Sequence, residues 1–163
     1  MTNIILIIAS VMTALSAGLF FAWACSVVPG LGKLSDANYL SAMQSINREI
    51  LNPIFFSCFM GAVIMLPVAT FISYSSPVTM RFWLLLAAAI VYIVGVFGVT
   101  VAGNVPLNNI LDATNLQTAT LEELAQLRAS FENTWNNLNT ARAFAGVVSL
   151  VLVSAACLSG KEL

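Results

Sequence analysis

Residues 135–142 read Trp135-Asn136-Asn137-Leu138-Asn139-Thr140-Ala141-Arg142 and lead directly into the apolar run Ala143 to Leu158. Trp135, Asn139 and Arg142 are spaced i, i+4, i+7, so on a helix they share one face. An aromatic plate, an amide and a permanent cation therefore stand together where the chain enters an apolar layer. Upstream, Leu121, Leu124, Arg128, Phe131, Trp135 and Leu138 recur at helical spacing. Thr120 and Glu123 fit a capping box in front of them. The pattern predicts an amphipathic helix that passes into a membrane span, either straight or with a bend at Asn136-Asn137.

Composition supports the membrane reading. Of 163 residues, 60% are hydrophobic and 8% charged, whereas soluble domains carry about 25% charged residues. Net charge is −1, and no basic patch marks a nucleic-acid partner. The chain has no His, so the usual proton shuttle and the commonest metal ligand are absent. Cys25, Cys58 and Cys157 form no C-x-x-C pair, which argues against thiol–disulfide chemistry. They read as small buried hydrophobes.

Working outward, three further runs are long enough to span a hydrocarbon core of about 30 Å. Ile4 to Val28 lacks the basic flank and short core of a secretory signal and reads as a retained span closed by Pro29-Gly30. Ala14, Gly18 and Ala22 put small residues along one side of it, where a neighbouring helix can approach. A polar connection follows, with a helix capped by Ser35 or Asp36 and running to about Leu51. Asn52-Pro53 starts the second span, residues 53–74, in which Pro67 predicts a kink. The third span covers residues 82–102, with Gly95, Gly98 and Ala102 on a small-residue side. Gly103 and Pro106 are expected to end it, with Asn104 as a cap and a loop from Asn109 to Thr118. The fourth span is residues 143–158. The fold expected is an all-α, integral membrane four-helix bundle, one domain over residues 1–163, with two amphipathic helical connections on one side.

Four crossings put both termini on one face and both long connections on the other. Asn47, Arg48, Glu49, Asn52, Asn104, Asn108, Trp135, Asn139 and Arg142 then gather at one rim. Arginines so close to an apolar layer need a partner. Glu49, Glu132 or Asp112 can serve, as can an anionic ligand, while snorkelling to headgroups is the plainer use. Amides, cations and one aromatic plate suit a flat, oxygen-bearing ligand. They suit a metal badly, since the only donors are amide and carboxylate oxygens. The spans themselves carry no acidic or basic residue, which argues against a proton-coupled carrier.

Four segments resemble the anthrone-oxygenase-like family of small four-span membrane proteins. They are Gly18 to Trp23 with Pro29-Gly30-Leu31; Met43 to Phe55; Asn104-Val105-Pro106-Leu107-Asn108; and Trp135 with Asn139 and Arg142. The resemblance implies an integral membrane protein and, from a few members, oxidation of anthrones by O2 without a cofactor. It implies Arg48, Arg142 and Glu49 as catalytic residues. Both arginines would stabilise an enolate and Glu49 would act as base, although the neighbouring Arg48 charge weakens it in that role. Asn47, Asn104, Asn108 and Asn139 would donate hydrogen bonds to the substrate, and Trp135 would stack on its ring. Many members carry an aromatic and a His where this chain has Leu138 and Thr140.

Two functions stay open at this stage. One is oxidation of a planar lipophilic small molecule. The other is non-catalytic binding of a lipid, a quinone-like molecule or a partner subunit, a second copy of the chain included. Membrane lipid is the expected surrounding and no cofactor is expected. Orientation follows from basic residues. Lys33, Arg48, Arg128 and Arg142 lie on the long-connection side, against Arg81 and Lys161 on the other. The plain count puts the connections inside, and it ties if Arg48 and Arg142 are site residues. With no basic residue flanking the first span, the reading taken is a bacterial inner membrane with cytoplasmic termini.

Overall fold

In a computed structural model, which describes residues 2–159, the chain is a series of helices joined by short turns. Met1 and the tail from Gly160, with Lys161 and Glu162, lie outside the described residues. Four helices are long and apolar enough to cross a membrane, and the chain is an integral membrane protein. They are α1 (Asn3–Leu31), α3 (Pro53–Ile72), α4 (Met80–Ala113) and α5 (Leu121–Leu158). A shorter α2 (Asp36–Glu49) links the first two.

The helices form a closed ring, since α1 packs on α3 and α5, and α4 packs on the same two. The core runs through Phe59, Leu66, Leu85, Tyr92, Val96 and Val153. Its polar groups are satisfied locally or across helices. Thr13 donates to the Ala9 carbonyl at 2.7 Å. Tyr92 donates to Ser16 Oγ at 2.6 Å and approaches the Phe59 carbonyl at 3.3 Å, which ties α4 to α1 and α3. Ser149 donates to the Ala88 carbonyl at 3.0 Å. Large apolar side chains such as Ile4, Phe71, Val94, Phe144 and Val151 point outward, as a bilayer solvent requires.

Both long connections close the same end of the ring. There a second apolar cluster joins Tyr39, Leu40 and Met43 of α2 to Leu111, Leu124, Phe131 and Trp135. Arg128 clamps it, donating to Glu132, to Asp36 and to the carbonyls of Gly32 and Leu34. At the opposite end Arg81 donates to the Ala156 carbonyl at 3.2 Å. The expected gathering of the two connections on one side is therefore present.

Several local expectations hold. Asn52 accepts from the Phe55 amide at 3.0 Å and caps α3. Thr120 and Glu123 form the full capping box. From there α5 continues unbroken as α-helix through Asn136-Asn137, 38 residues in all.

Others are corrected. Pro29 does not end the first helix, because a wide π turn over Trp23–Val27 precedes it. The Val28 amide bonds five residues back to Trp23, and the wider turn relieves the clash a proline makes with the carbonyl four residues earlier. Gly103 and Pro106 likewise do not end α4. Two π turns, Ile93–Gly98 and Thr100–Asn104, carry it onward to Ala113. The first half of the expected 109–118 loop is thus helix, and turns begin at Thr114. Asn104 caps nothing with its side chain; it is buried inside a continuous rod. A Cβ on Gly18 would meet no other part of the protein within 4 Å, and the close approach on α1 is instead between Ala17 and Gly146. Cys25 and Cys157 face outward, and Cys58 is half-buried.

Candidate functional site

The extension of α4 builds a cavity where the ring meets the connections. Thr100, Asn104 and Asn108 recur at i, i+4, i+8 and face Trp135, Asn139 and Arg142 of α5. Leu19, Phe20 and Trp23 of α1, Asn47 of α2, and Phe55 of α3 complete the wall, with Ile50 and Leu51 between α2 and α3. The cavity volume is about 80 Å³.

Arg142 is the chemical centre. Its residue exposure is 5%, and among the described residues no carboxylate pairs with it. Nη2 donates to Asn139 Oδ1 at 3.0 Å and Nη1 to Thr100 Oγ1 at 3.3 Å. Thr100 in turn donates to the Val96 carbonyl, so its oxygen is free to accept. The guanidinium lies 4.5 Å from the Phe20 ring centroid and 5.4 Å from that of Trp135. Aromatic faces attract a cation, but they do not neutralise it. A buried cation left without an anion costs several kcal/mol.

Neighbouring groups repeat this donor excess. Arg142 Nε, Asn139 Nδ2, Asn47 Nδ2 and Asn104 Oδ1 are buried without a partner. Three of these four atoms are N–H donors, which is what an oxyanion needs around it. Buried polar atoms are normally satisfied, so a group of orphans lining one cavity calls for a ligand or water. The remaining polar contacts hold the wall. Trp135 Nε1 donates to Asn108 Oδ1 at 2.8 Å, and Asn104 Nδ2 donates to the Trp135 carbonyl at 3.4 Å. Trp23 packs on Trp135 with ring centroids 5.2 Å apart.

Six of the eight residues expected from sequence line this cavity: Asn47, Asn104, Asn108, Trp135, Asn139 and Arg142. Arg48 and Glu49 are exposed and are not among its lining residues. Arg48 pairs with Asp112 at the outer surface. Beside it Gln44 donates to the Leu111 and Thr114 carbonyls and covers the end of α4. Sequence reasoning missed Thr100, Phe20, Trp23 and Phe55. Thr100 stands one turn before Asn104, and that spacing becomes visible only once α4 is known to continue. Among the described residues no three His, Cys, Asp or Glu side chains stand together as a metal site would need.

Residues 55–152 match the family described as anthrone oxygenase. No curated protein and no solved structure matches the chain. The match covers more than half of the sequence and includes the α4 and α5 walls of the cavity; the chain belongs to the anthrone oxygenase family.

Proposed function

We propose that the cavity binds a planar lipophilic molecule as its oxyanion, and that the protein promotes oxidation of an anthrone-type substrate by O2. The observation that carries this reading is the buried Arg142 guanidinium, which has no carboxylate partner among the described residues. In the reaction the ring CH2 loses a proton, and the negative charge delocalises onto the carbonyl oxygen as an enolate. That oxygen takes the place facing Arg142, with Asn139 and Asn47 supplying further N–H groups. A donor aimed at developing charge contributes roughly 3–4 kcal/mol to such a step.

The enolate carbon passes electrons to O2 and forms a C–O bond. Loss of water from the resulting hydroperoxide leaves the second carbonyl. One oxygen atom of O2 enters the quinone and the other leaves as water with both ring hydrogens, so O2 is the only oxidant. Trp135 and Trp23 offer flat faces for the rings. No carboxylate is among the lining residues, so the first proton passes to water, and Arg142 acts by making the bound ligand more acidic. The same lack of an internal base favours a second reading, in which the protein holds the anion without oxidising it. Against the plain count of basic residues, and because none flanks the first span, we propose a bacterial inner membrane with the termini in the cytoplasm.

Oxygen uptake and anthraquinone formation from anthrone test the proposal, with purified protein in phosphatidylcholine vesicles beside Arg142→Gln and protein-free vesicles. Turnover above the protein-free rate that disappears in Arg142→Gln supports catalysis. Rates equal to the protein-free control overturn it and leave the binding reading.

A further inference from the structure

The cavity is too small for the ligand the family reading calls for. It holds about 80 Å³, whereas sites that enclose a drug-sized molecule start near ~300 Å³. Beside it, between α1 and α3, lies an apolar groove of about 330 Å³. Groove and cavity share Leu19, Ile50 and Phe55, so one wall serves both. The groove's outer lips are Leu15, 55% exposed, and Ile54, 80% exposed, with Cys58 on its α3 side. Leu15 and Ile54 belong to spanning helices, and so the opening faces acyl chains rather than water.

From this adjacency we infer that the site is bipartite, with the shared wall of Leu19 and Phe55 giving way to join the two spaces when a ligand binds. The anionic head of the ligand and the ring that bears it sit at Arg142 against Trp23 and Trp135, and the rest of its apolar body lies in the membrane-facing groove between α1 and α3. The inference rests on the oxyanion reading above and adds the route to that site: the ligand arrives from the bilayer in its neutral form through the groove between α1 and α3. The esterified acyl chain of a phospholipid, entering by its methyl end, satisfies only half of the site. Its methyl end would leave the guanidinium and the orphan amides without a partner. A short aromatic acid satisfies the other half and leaves the groove to lipid.

Two carboxylates serve as probes, a fused three-ring anthracenecarboxylate and one-ring benzoate. The protein is the full chain in phosphatidylcholine vesicles, with Cys25→Ser and Cys157→Ser so that Cys58 is the reporter thiol. Energy transfer from Trp23 and Trp135 to the anthracene reads binding, and a lipid-soluble maleimide reads the exposure of Cys58. At ten times its dissociation constant, the three-ring acid is expected to slow Cys58 labelling by about ten-fold through simple occupancy. Benzoate is expected to leave labelling unchanged at equal occupancy. If the thiol proves too slow, Ile54→Cys in a Cys58→Ser background takes its place on the exposed lip. Binding without protection of either thiol overturns the groove assignment and leaves the Arg142 reading standing. Absence of energy transfer overturns the oxyanion reading, and the groove assignment with it.

Discussion

The Arg142 guanidinium carbon stands 4.5 Å from the centroid of the Phe20 ring, so α1 holds the cation of α5 with an aromatic face and no anion. An arrangement built only for stability would place a carboxylate there. Leaving it out costs folding free energy and leaves the cation free for a ligand. Arg142→Met is therefore expected to stabilise the ligand-free protein by about 1–3 kcal/mol, since an apolar side chain of similar length replaces an uncompensated buried charge. The same variant is expected to lose anthracenecarboxylate binding. Thermal unfolding in detergent, read beside the binding signal, checks both. A fall in melting temperature would make Arg142 a structural anchor instead.

Trp135 combines two roles that one substitution can separate. Its indole N–H satisfies Asn108 Oδ1, while its ring fills the space between Trp23 and Phe131. Trp135→Phe keeps an aromatic face and strips the acceptor of its donor, a loss of about 1–3 kcal/mol when the acceptor stays buried. Trp135→Ala also opens a void and is expected to cost about 3–5 kcal/mol. Adding Asn108→Leu to Trp135→Phe should recover part of the first loss, and a double-mutant cycle measures how much.

The crossings were legible because apolar runs of that length have few other uses, and Asn52 and Thr120 announced their helices by cap chemistry alone. Helix continuity through Pro29 and through Gly103 to Pro106 was not legible. Breaker residues are local signals, whereas a π turn upstream is a property of the whole rod. That one misreading had a downstream effect at the site. With α4 ending near Ala102, Arg48 and Arg142 look equivalent, two cations at one rim. With α4 reaching Ala113, Asp112 is delivered to Arg48 on the outside, and Thr100 joins Arg142 within.

Small residues in the ring differ in what they tolerate. A Cβ on Gly95 would lie 2.6 Å from Ala145 Cβ, whereas one on Gly103 would meet the end of the Leu138 side chain at 2.8 Å. The alanine carbon is fixed to its backbone, and the leucine can change rotamer. Gly95→Ala is expected to destabilise by about 2–3 kcal/mol through overpacking. Gly103→Ala is expected to cost less, by roughly 1 kcal/mol or more, because Leu138 moves aside. Urea or thermal unfolding of the two variants side by side tests the order.

Tyr39 gives the connections a pH response. Burial first, and the charge of Glu132 second, raise its phenol above the ordinary value of 10.0, with Arg128 opposing. Its hydroxyl is buried without a partner. A group whose folded value is raised contributes its stability below the unfolded value and loses it as pH rises. The unfolded phenol ionises first, so stability falls above pH 10 by at most ~1.4 kcal/mol per pH unit. Tyr39→Phe is expected to remove that slope. At neutral pH it is expected to be neutral or stabilising by up to about 1 kcal/mol, since no hydrogen bond is lost. Melting temperatures of both proteins between about pH 8 and 11, a range spanning the ordinary tyrosine value, provide the measurement.

Arg48 supplies the sharpest contrast with Arg142, because the two share a residue type and an end of the molecule but differ in surroundings. The side chains of Arg48 and its partner Asp112 are 60% and 53% exposed. Exposed pairs contribute about 0–1 kcal/mol, so Arg48→Gln is expected to shift stability by no more than that. Because Arg48 does not line the cavity, the affinity for anthracenecarboxylate is expected to stay within about two-fold of wild type, a change under ~0.5 kcal/mol. Raising the salt concentration should abolish the small stability effect through screening and leave the Arg142 effects in place. A large loss of affinity in Arg48→Gln would mean that the ligand reaches the outer surface of α2. The anion site would then have to be redrawn to include both arginines.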